Sequence, residues 1–561
     1  MARILLQREE PAALAPDTWE STTMLGNMMQ QPLLISSILQ QAKTLAPRAE
    51  IVSRRIEGDT HRYSYLDCHR RTCQLAQALR TLGVSSGDRI GTLAWNGYRH
   101  IELYYAISGI GAIVHTVNPR LFTQQIEYIV NHAEDSLLFV DLTFVPLLNE
   151  LVGRIPSVRT IVLLCARADA PVDTRFEFLC YEELIAGLAD EFAWPDFDED
   201  TAACLCYTSG TTGDPKGVLY SHRSTVLHAL ASCVPNGLNL SRQSVVLPVV
   251  PMYHVSAWGL PYSCLMAGAK LVLPGARMDG QSLFELIERE RVSLALGVPT
   301  VWQTMLQQLE KTGQKLPRDM TFGVGGAAAP LALVEKLREH DAYLMPLWGM
   351  TETSPLATFG GWSEELQELP PAARNRWQTS AGRAIYGIEI EIFDDDEQPL
   401  PHDGAQSGQL RTRGPWVVRN YYRNDCEPCV GGWFDTGDVA TIDADGFLRI
   451  VDRKKDVIKS GGEWISSIAL ENAAVSHACV REACVVGVPH PRWDERPLLL
   501  VVLNEGRVLD KDSILEHLAT RVAKWWLPND IVALDELPHT ATGKLHKVPL
   551  RDRFRNHFTQ T

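Results

Sequence analysis

The feature that most constrains this chain is a repeated alternation of short apolar runs with helix-like stretches. Between residues 90 and 140, strand-like Ile90–Trp95 is followed by helix-like 98–109, strand-like Ile113–Val117, helix-like 123–132 and the apolar Leu137–Val140. Short apolar runs without polar alternation fit strands buried on both faces. The alternation returns later, with strands expected near 244–250, 269–273, 293–298, 320–324 and 342–347, and helices near 281–290, 300–310 and 330–339. Parallel strands need crossover connections, and helical crossovers cover both faces of a sheet. The spacing therefore predicts an α/β protein built on parallel βα sheets.

Polar and glycine-rich segments fall directly after these strands: Tyr207-Thr-Ser-Gly, Pro251-Met-Tyr-His254, Gly325-Gly-Ala-Ala-Ala-Pro330 and Trp348-Gly-Met-Thr-Glu352. In an open parallel sheet the carboxyl ends share one edge, where ligands bind, so four segments are expected to converge on one cleft. The first continues to Val218 and reads as a strand at Thr201–Cys206, a polar loop, then a helix around Thr225–Ala231. Gly210, Gly213 and Gly217 would let backbone approach an anion, Thr208, Ser209, Thr211 and Thr212 offer hydroxyls, and Lys216 offers a cation. Pro215 precedes Lys216 and Gly217 follows it, so the NTPase phosphate loop, which needs Gly-Lys-Ser/Thr, is not matched. The plainer reading is a flexible Gly/Thr surface loop.

A chain of 561 residues exceeds one compact core and implies two to four structural units. The leader, residues 1–23, is polar and unpatterned and is expected to be loosely ordered. A large N-terminal domain is expected over 24–451, with a β-rich subdomain at about 381–451 where short strands are broken by glycine. A small mobile α+β domain would follow at 453–561. A formal charge of −15 argues against a nucleic-acid partner. The 12 cysteines form no metal or disulfide ladder, and Cys426-Glu-Pro-Cys429 lacks a second pair, so reduced buried thiols are expected. No apolar run approaches a spanning helix and no signal peptide is recognisable, which points to a cytoplasmic protein without stable membrane insertion.

With these motifs assembled, the chain resembles the adenylate-forming superfamily of acyl-CoA synthetases, peptide-synthetase adenylation domains and luciferases. The resemblance covers nearly everything after Met24. It rests on 207–218, Tyr253-His254, Gly325-Gly-Ala, Trp348-Gly-Met-Thr-Glu352, Gly432-Trp-Phe-Asp-Thr-Gly-Asp438, Asp452-Arg-Lys-Lys-Asp456, Gly461-Gly462 and Thr542-Gly-Lys544, all in the family's order. Within it, Val250–Trp258, Val117-Asn-Pro-Arg-Leu-Phe122 and Met24-Leu-Gly resemble bacterial medium- and long-chain fatty acyl-CoA synthetases, a branch that includes ligases of 3-(methylthio)propionate.

The resemblance implies an ATP-dependent ligase that makes an acyl-AMP, releases pyrophosphate and passes the acyl group to the thiol of coenzyme A. Ser209, Gly210, Thr211, Thr212, Gly213 and Lys216, with Thr208, would hold the β and γ phosphates. Thr208 and Glu352 would position Mg²⁺, a hard cation suited to oxygen ligands. Gly325, Gly326, Ala327, Gly349 and Thr351 would line the nucleotide, and Trp348 would stack on adenine where the family more often has tyrosine. Asp438 would bind the ribose hydroxyls, with Arg453 beside it. Lys544 would bridge the substrate carboxylate and the α-phosphate, as a compact ammonium can. Asp452 would be the hinge about which Lys544 leaves and Gly461-Gly462 comes to line the pantetheine channel. Lys455 and Lys459 would touch the nucleotide, although their spacing also suits a solvated helix face. His254, Trp258, Val298 and Gly325 would form the acyl site, with Trp258 as its gate.

Taken singly, His254 and the two tryptophans also suit a core, and Glu352, Asp438 and Lys544 suit a solvated surface or turn. The resemblance implies a short-to-medium aliphatic or methylthio acid as substrate, with a long-chain fatty acid as the alternative, and a homodimer. A peptide-synthetase module is expected to continue into a carrier domain, whereas this chain stops at Thr561. A non-catalytic nucleotide-binding regulator is the reading from another class.

Overall fold

The computed structural model describes residues 26–208, 214–361, 366, 368–424, 428–460, 463–539 and 545–558. Two parallel-rich sheets form its centre. One has seven strands in the order Leu179–Cys180, Thr160–Leu163, Leu137–Val140, Arg89–Leu93, Ile113–Thr116, Ala202–Tyr207, Gly217–Ser221. The other runs parallel from Tyr343–Gly349 through Thr321–Val324, Leu294–Gly297, Val245–Pro248 and Lys270–Leu273 to Glu50–Arg54. Antiparallel strands close it at both ends, Thr60–Ser64 at one and Leu356–Phe359 with Arg383–Ala384 at the other.

The α/β expectation from the apolar runs holds because Ile113–Thr116, Leu137–Val140 and Leu294–Gly297 are buried at every residue. The helix Tyr98–Gly109 is likewise buried along its whole length, between the sheets. Its phenols find acceptors there, as buried tyrosines must. Tyr104 donates to Met252 O at 2.5 Å and Tyr105 to Pro261 O at 2.9 Å.

One expected element order is wrong. The loop after Ala202–Tyr207 leads not to a helix but to an antiparallel partner strand, Gly217–Ser221, and only then to the helix His222–Cys233. Gly217 therefore sits in a strand opposite Tyr207, where a Cβ would come within 3.2 Å of Leu205, Tyr422 and Tyr207. Packing, rather than approach to an anion, demands glycine at that position. The short run Gly-Val-Leu-Tyr-Ser was hidden because it abuts the glycine-rich loop directly.

A third sheet, antiparallel, is built from Glu389–Phe393, Gly408–Arg413, Trp433–Ile442, Cys429–Val430 and Leu448–Arg453. A fourth belongs to a separate C-terminal unit, centred on the long hairpin Val480–His490 with Asp494–Leu503 and covered by Ser467–Val475 and Lys511–Ala519. None of the described cysteines forms a disulfide, and nine of the eleven are buried. No helix among the described residues is long and apolar enough to cross a membrane.

Candidate active site

The two central sheets are stitched together at the carboxyl ends of their strands. Asn96, just past Arg89–Leu93, is fully buried and spends every polar atom of its amide on the other sheet. Its Nδ2 donates to Pro248 O (2.8 Å) and Val250 O (2.9 Å), and its Oδ1 accepts from Met252 N (2.7 Å). This fixes the segment Pro251–His254 at the cleft. A second tie runs from Tyr220, whose phenol donates to Thr351 O at 2.7 Å. The segments after Tyr207, Pro248, Val324 and Leu347 thus meet as their positions predicted.

The glycine-rich loop is closed at its base. Thr208 N donates to Lys216 O (2.9 Å), and Lys216 N donates to Thr208 Oγ1 (3.2 Å). Ser209, Gly210, Thr211, Thr212 and Gly213 lie outside the described residues. The Lys216 ammonium rests over the Tyr421 ring, 4.8 Å from its centroid, and the Tyr421 phenol donates to Glu352 Oε1 at 2.8 Å. Glu352 is buried, and its backbone carbonyl accepts from Val418 N at 2.7 Å. Burial, and then the Glu352 charge, push the Tyr421 phenol well above its ordinary range. Lys216 and Glu352 are thereby joined through one aromatic side chain that carried no sequence motif.

Trp348 and Asp438 also meet. The indole Nε1 donates to Asp438 Oδ2 at 3.2 Å, and Arg453 Nε pairs with Asp438 Oδ1 at 2.9 Å. Asp438 and Arg453 face each other across adjacent strands, and Arg453 is held further by Thr436 O at 3.0 Å. Gly349 is the only residue type that fits behind Trp348, since a Cβ there would meet Pro355 O at 2.0 Å. Ala327 and Gly326 lie exposed at the mouth of this region.

Gly325, Gly326, Trp258 and Val298 form one contact group. A Cβ on Gly325 would come within 3.1 Å of the Trp258 ring, and one on Gly326 within 3.3 Å of Val298. Trp258 is buried, and it ends a short turn in which Val255, Ser256, Ala257 and Trp258 all have φ between 44° and 56°. That left-handed run is held by Ala257 N donating to Pro251 O (3.2 Å), and by Ser256 Oγ lying 3.6 Å from Cys204 Sγ. His254, half-buried, opens the turn, and its N–H donates to Pro251 O at 3.1 Å. Tyr253 beside it is buried, its phenol has no hydrogen-bond partner among the described residues, and burial pushes it up to about 12.

Asp452 is almost fully buried where the third sheet leads into the C-terminal unit. Its Oδ2 accepts from Ser467 N at 2.6 Å, and burial raises its pKa against the opposing charge of Lys547. Lys455 and Lys459 share no helix: Lys455 lies in a turn and Lys459 in the strand Ile458–Ser460, so the solvated helix face is excluded. Burial lowers the Lys455 ammonium below its ordinary range. Gly461, Gly462 and Lys544 lie outside the described residues, as does Cys426.

Two family models match the chain: AMP-binding enzyme over residues 39–422, and AMP-binding enzyme C-terminal domain over 469–544. The chain belongs to the AMP-binding enzyme family. It is similar to the 3-methylmercaptopropionyl-CoA ligase of Ruegeria lacuscaerulensis, 47% identical over 538 residues, covering 96% of this chain and 100% of that protein. The medium-chain-fatty-acid–CoA ligase of Ectopseudomonas oleovorans is 44% identical over 533 residues, covering 95% of this chain and 98% of its own. The fold of this chain is also that of the crystal structure of an anthranilate CoA ligase in complex with anthranoyl-AMP, at a TM-score of 0.82 and 23% identity, covering 94% of this chain and 99% of that one. This AMP-binding enzyme is accordingly an acid–thiol ligase of the adenylate-forming, acyl-CoA synthetase kind.

Proposed function

We propose that the chain activates a short-to-medium aliphatic acid, or an acid resembling 3-(methylthio)propionate, with ATP and Mg²⁺ and transfers the acyl group to coenzyme A. The observation that carries this substrate class is end-to-end similarity to a 3-methylmercaptopropionyl-CoA ligase, combined with a tryptophan packed on glycine at the acyl side of the cleft. Aligned sulfur and methylene are near-isosteric, and each buried methylene adds about 0.8 kcal/mol until the tunnel ends.

Attack of a carboxylate on the α-phosphate brings two anions together, so the site must supply positive charge where negative charge redistributes. Lys544 takes that role in adenylation. Lys216, with the 208–213 loop, holds the β and γ phosphates, and Asp438 with Arg453 holds the ribose while Trp348 stacks on adenine. His254 orients the carboxylate, and Gly461-Gly462 line the pantetheine path after rotation about Asp452, with Lys455 and Lys459 near the nucleotide.

Glu352 and Thr208 fit Mg²⁺ by donor chemistry, both being hard oxygen ligands. Among the described residues no group of three His, Cys, Asp or Glu could hold a metal alone. A cation at Glu352 would draw on phosphate oxygens and water, as Mg²⁺ does in nucleotide sites. When bound, it would neutralise charge on the triphosphate.

We assign the protein to the cytoplasm and to a homodimer on the same reading. The test is a carboxylate panel of straight-chain, methylthio, aromatic and amino acids, assayed by pyrophosphate release with and without coenzyme A. The expected optimum lies among short-to-medium aliphatic and methylthio acids. A preference for benzoate-type, amino or long-chain acids, or pyrophosphate release with none of them, refutes the proposal.

A further inference from the structure

The base of the glycine-rich loop is braced by a helix that no motif marks. Tyr207, the last residue of the strand Ala202–Tyr207, is buried, and its phenol shares a hydrogen bond of 2.7 Å with Nδ1 of His132. His132 lies in the last turn of the helix Thr123–Ala133 and is half-buried. Three tyrosines box its ring: Tyr128 stacks on it with centroids 5.4 Å apart, while Tyr207 and Tyr422 meet it edge-on at 5.8 and 5.5 Å. Tyr207 also packs against the His115 ring, 5.1 Å away. His115 Nδ1 is bonded in turn to Asp135 Oδ2 at 2.7 Å, with both side chains fully buried.

The helix end that carries His132 is itself fixed. The last carbonyls of a helix lack intrahelical donors, and here two arginines supply them. Arg423 Nη1 donates to His132 O at 3.0 Å, and Arg89 Nε donates to Ala133 O at 2.6 Å. Both guanidinium groups also pair with Glu134, at 2.6 and 2.9 Å. Arg423 closes a run of three residues that holds the loop's base from three sides. Tyr421 lies under the Lys216 ammonium, Tyr422 N donates to Gly217 O at 2.8 Å, and Arg423 ties the run to the helix. A buried phenol needs a hydrogen-bond partner, whereas a phenylalanine in its place would need none. The Tyr207–His132 bond therefore adds direction to what packing alone would hold. It sets where the strand ends, and Thr208 and Lys216 start from that point, locked to each other by the two bonds between them.

We propose that His132 is a positioning residue for ATP: through the Tyr207 phenol it fixes the base of the loop, and with it Thr208 and the Lys216 ammonium, against the phosphates of the nucleotide. This rests on the phosphate role proposed above for Lys216 and the loop. His132 acts through Tyr207 alone, so binding of the acid and of coenzyme A does not depend on it.

The test measures KM for ATP in acyl-AMP formation, with the acid that the wild-type protein turns over best, in the wild type, Tyr207→Phe, His132→Phe and the double variant. Tyr207→Phe removes one oxygen and keeps the ring, so the packing around it is retained. Each single change should raise KM for ATP roughly three- to tenfold, the range for one neutral hydrogen bond. The double variant should be no worse than the poorer single one, because both substitutions remove the same bond. The kcat at saturating ATP and the KM values for the acid and for coenzyme A should stay at wild-type levels, a split that general loosening of the fold would not give. An unchanged KM for ATP, losses that add in the double variant, or equal losses for all three substrates overturn the role of His132. Lys216→Ala separates this from the reading beneath it. If that variant keeps the wild-type KM for ATP, the phosphate role of the loop is wrong and His132 falls with it. If Lys216→Ala raises KM and the His132 and Tyr207 variants do not, the role of His132 alone falls. Should the wild type form acyl-AMP from no acid, the ligase reading fails separately, and calorimetric titration of MgATP into the same proteins decides the matter by the same pattern in Kd.

Discussion

The carboxylate of Asp438, proposed above to hold the ribose, is held from both sides by the Trp348 indole and by Arg453. Replacing the family's commoner tyrosine by tryptophan therefore does more than keep a ring: it introduces an N–H that fixes the acid. Trp348→Phe retains the aromatic face and removes only that donor. The expected outcome is a five- to tenfold rise in KM for ATP, from the loss of about 1 kcal/mol of positioning, with kcat little changed. An ATP titration of acyl-AMP formation checks it, and equal KM values would show that the indole N–H does not orient Asp438. A second residue carries a pH signature. Burial raises the Asp141 carboxyl to about 7, against the hydrogen bond it accepts from Trp95 N at 2.7 Å. A carboxyl whose folded pKa is raised stabilises the fold below its unfolded value near 4, and loses that contribution as pH rises through about 7. Asp141→Asn keeps an acceptor for Trp95 N and removes the titration. Its stability relative to wild type should thus rise between about pH 4 and pH 7 and then level off, by up to roughly 4 kcal/mol. Melting curves of both proteins across that range read the difference, and a constant offset refutes the assignment. Trp348 and Asp438 were legible because each stands in a local motif. Asn96 and Tyr421 were not, since their partners are 152 and 69 residues away and nothing near them in the chain marks the contact.

At the scale of elements, the alternation of apolar runs and helical stretches revealed the parallel sheets because those strands are buried on both faces and so cannot be mistaken for amphipathic segments. It missed the hairpin partner Gly217–Ser221, whose glycine and polar ends mimic a loop, and it could not reveal the backbone of the turn that carries Trp258. Four successive non-glycine residues in the left-handed region cost about 1–2 kcal/mol each. A β-branched residue at positive φ, as at Val255, is rare in itself. Such a turn persists only when its surroundings over-determine it, and here those are Pro251, His254 and the Ser256 contact with Cys204. On the proposed acyl site, the Trp258 ring at the end of this turn is the expected gate. Trp258→Ala should accordingly broaden or shift the chain-length optimum and weaken the dependence of acid entry on ATP. The readout is kcat/KM across straight-chain and methylthio acids for both proteins, and superimposable profiles would dismiss the gate.

At the scale of the whole molecule, the join between the large unit and the C-terminal unit is a charge cluster in which Asp452 is buried and Lys547 and Glu471 are partly buried. Lys547 donates to Ser467 Oγ at 2.5 Å and pairs with Glu471 at 2.7 Å, while Ser467 N donates to Asp452. Burial works against the Lys547 ammonium, but Glu471 and Asp452 together hold its pKa above the ordinary range. Burial raises Glu471, which stays bound to Lys547 and accepts from Val485 N at 2.8 Å. The cluster thus ties the proposed hinge, the helix Ser467–Val475 and the start of the helix Lys547–Phe554, three residues beyond Lys544 in sequence. If the C-terminal unit turns about Asp452 as one body, this cluster must turn with it, and breaking it harms every arrangement the unit adopts. Lys547→Met leaves the buried Asp452 and the partly buried Glu471 without their cation and should cost about 3 kcal/mol of stability in that unit. Both acyl-AMP formation and transfer from supplied acyl-AMP to coenzyme A should fall together. On the role proposed for Lys544, Lys544→Ala by contrast removes charge needed only while the acyl-AMP forms, so it should abolish the first step and spare the second. Denaturant melts and the two half-reactions measured on both variants separate a mechanical role from a chemical one. Loss of adenylation alone in Lys547→Met, with unchanged unfolding, would show that the cluster does not hold the hinge.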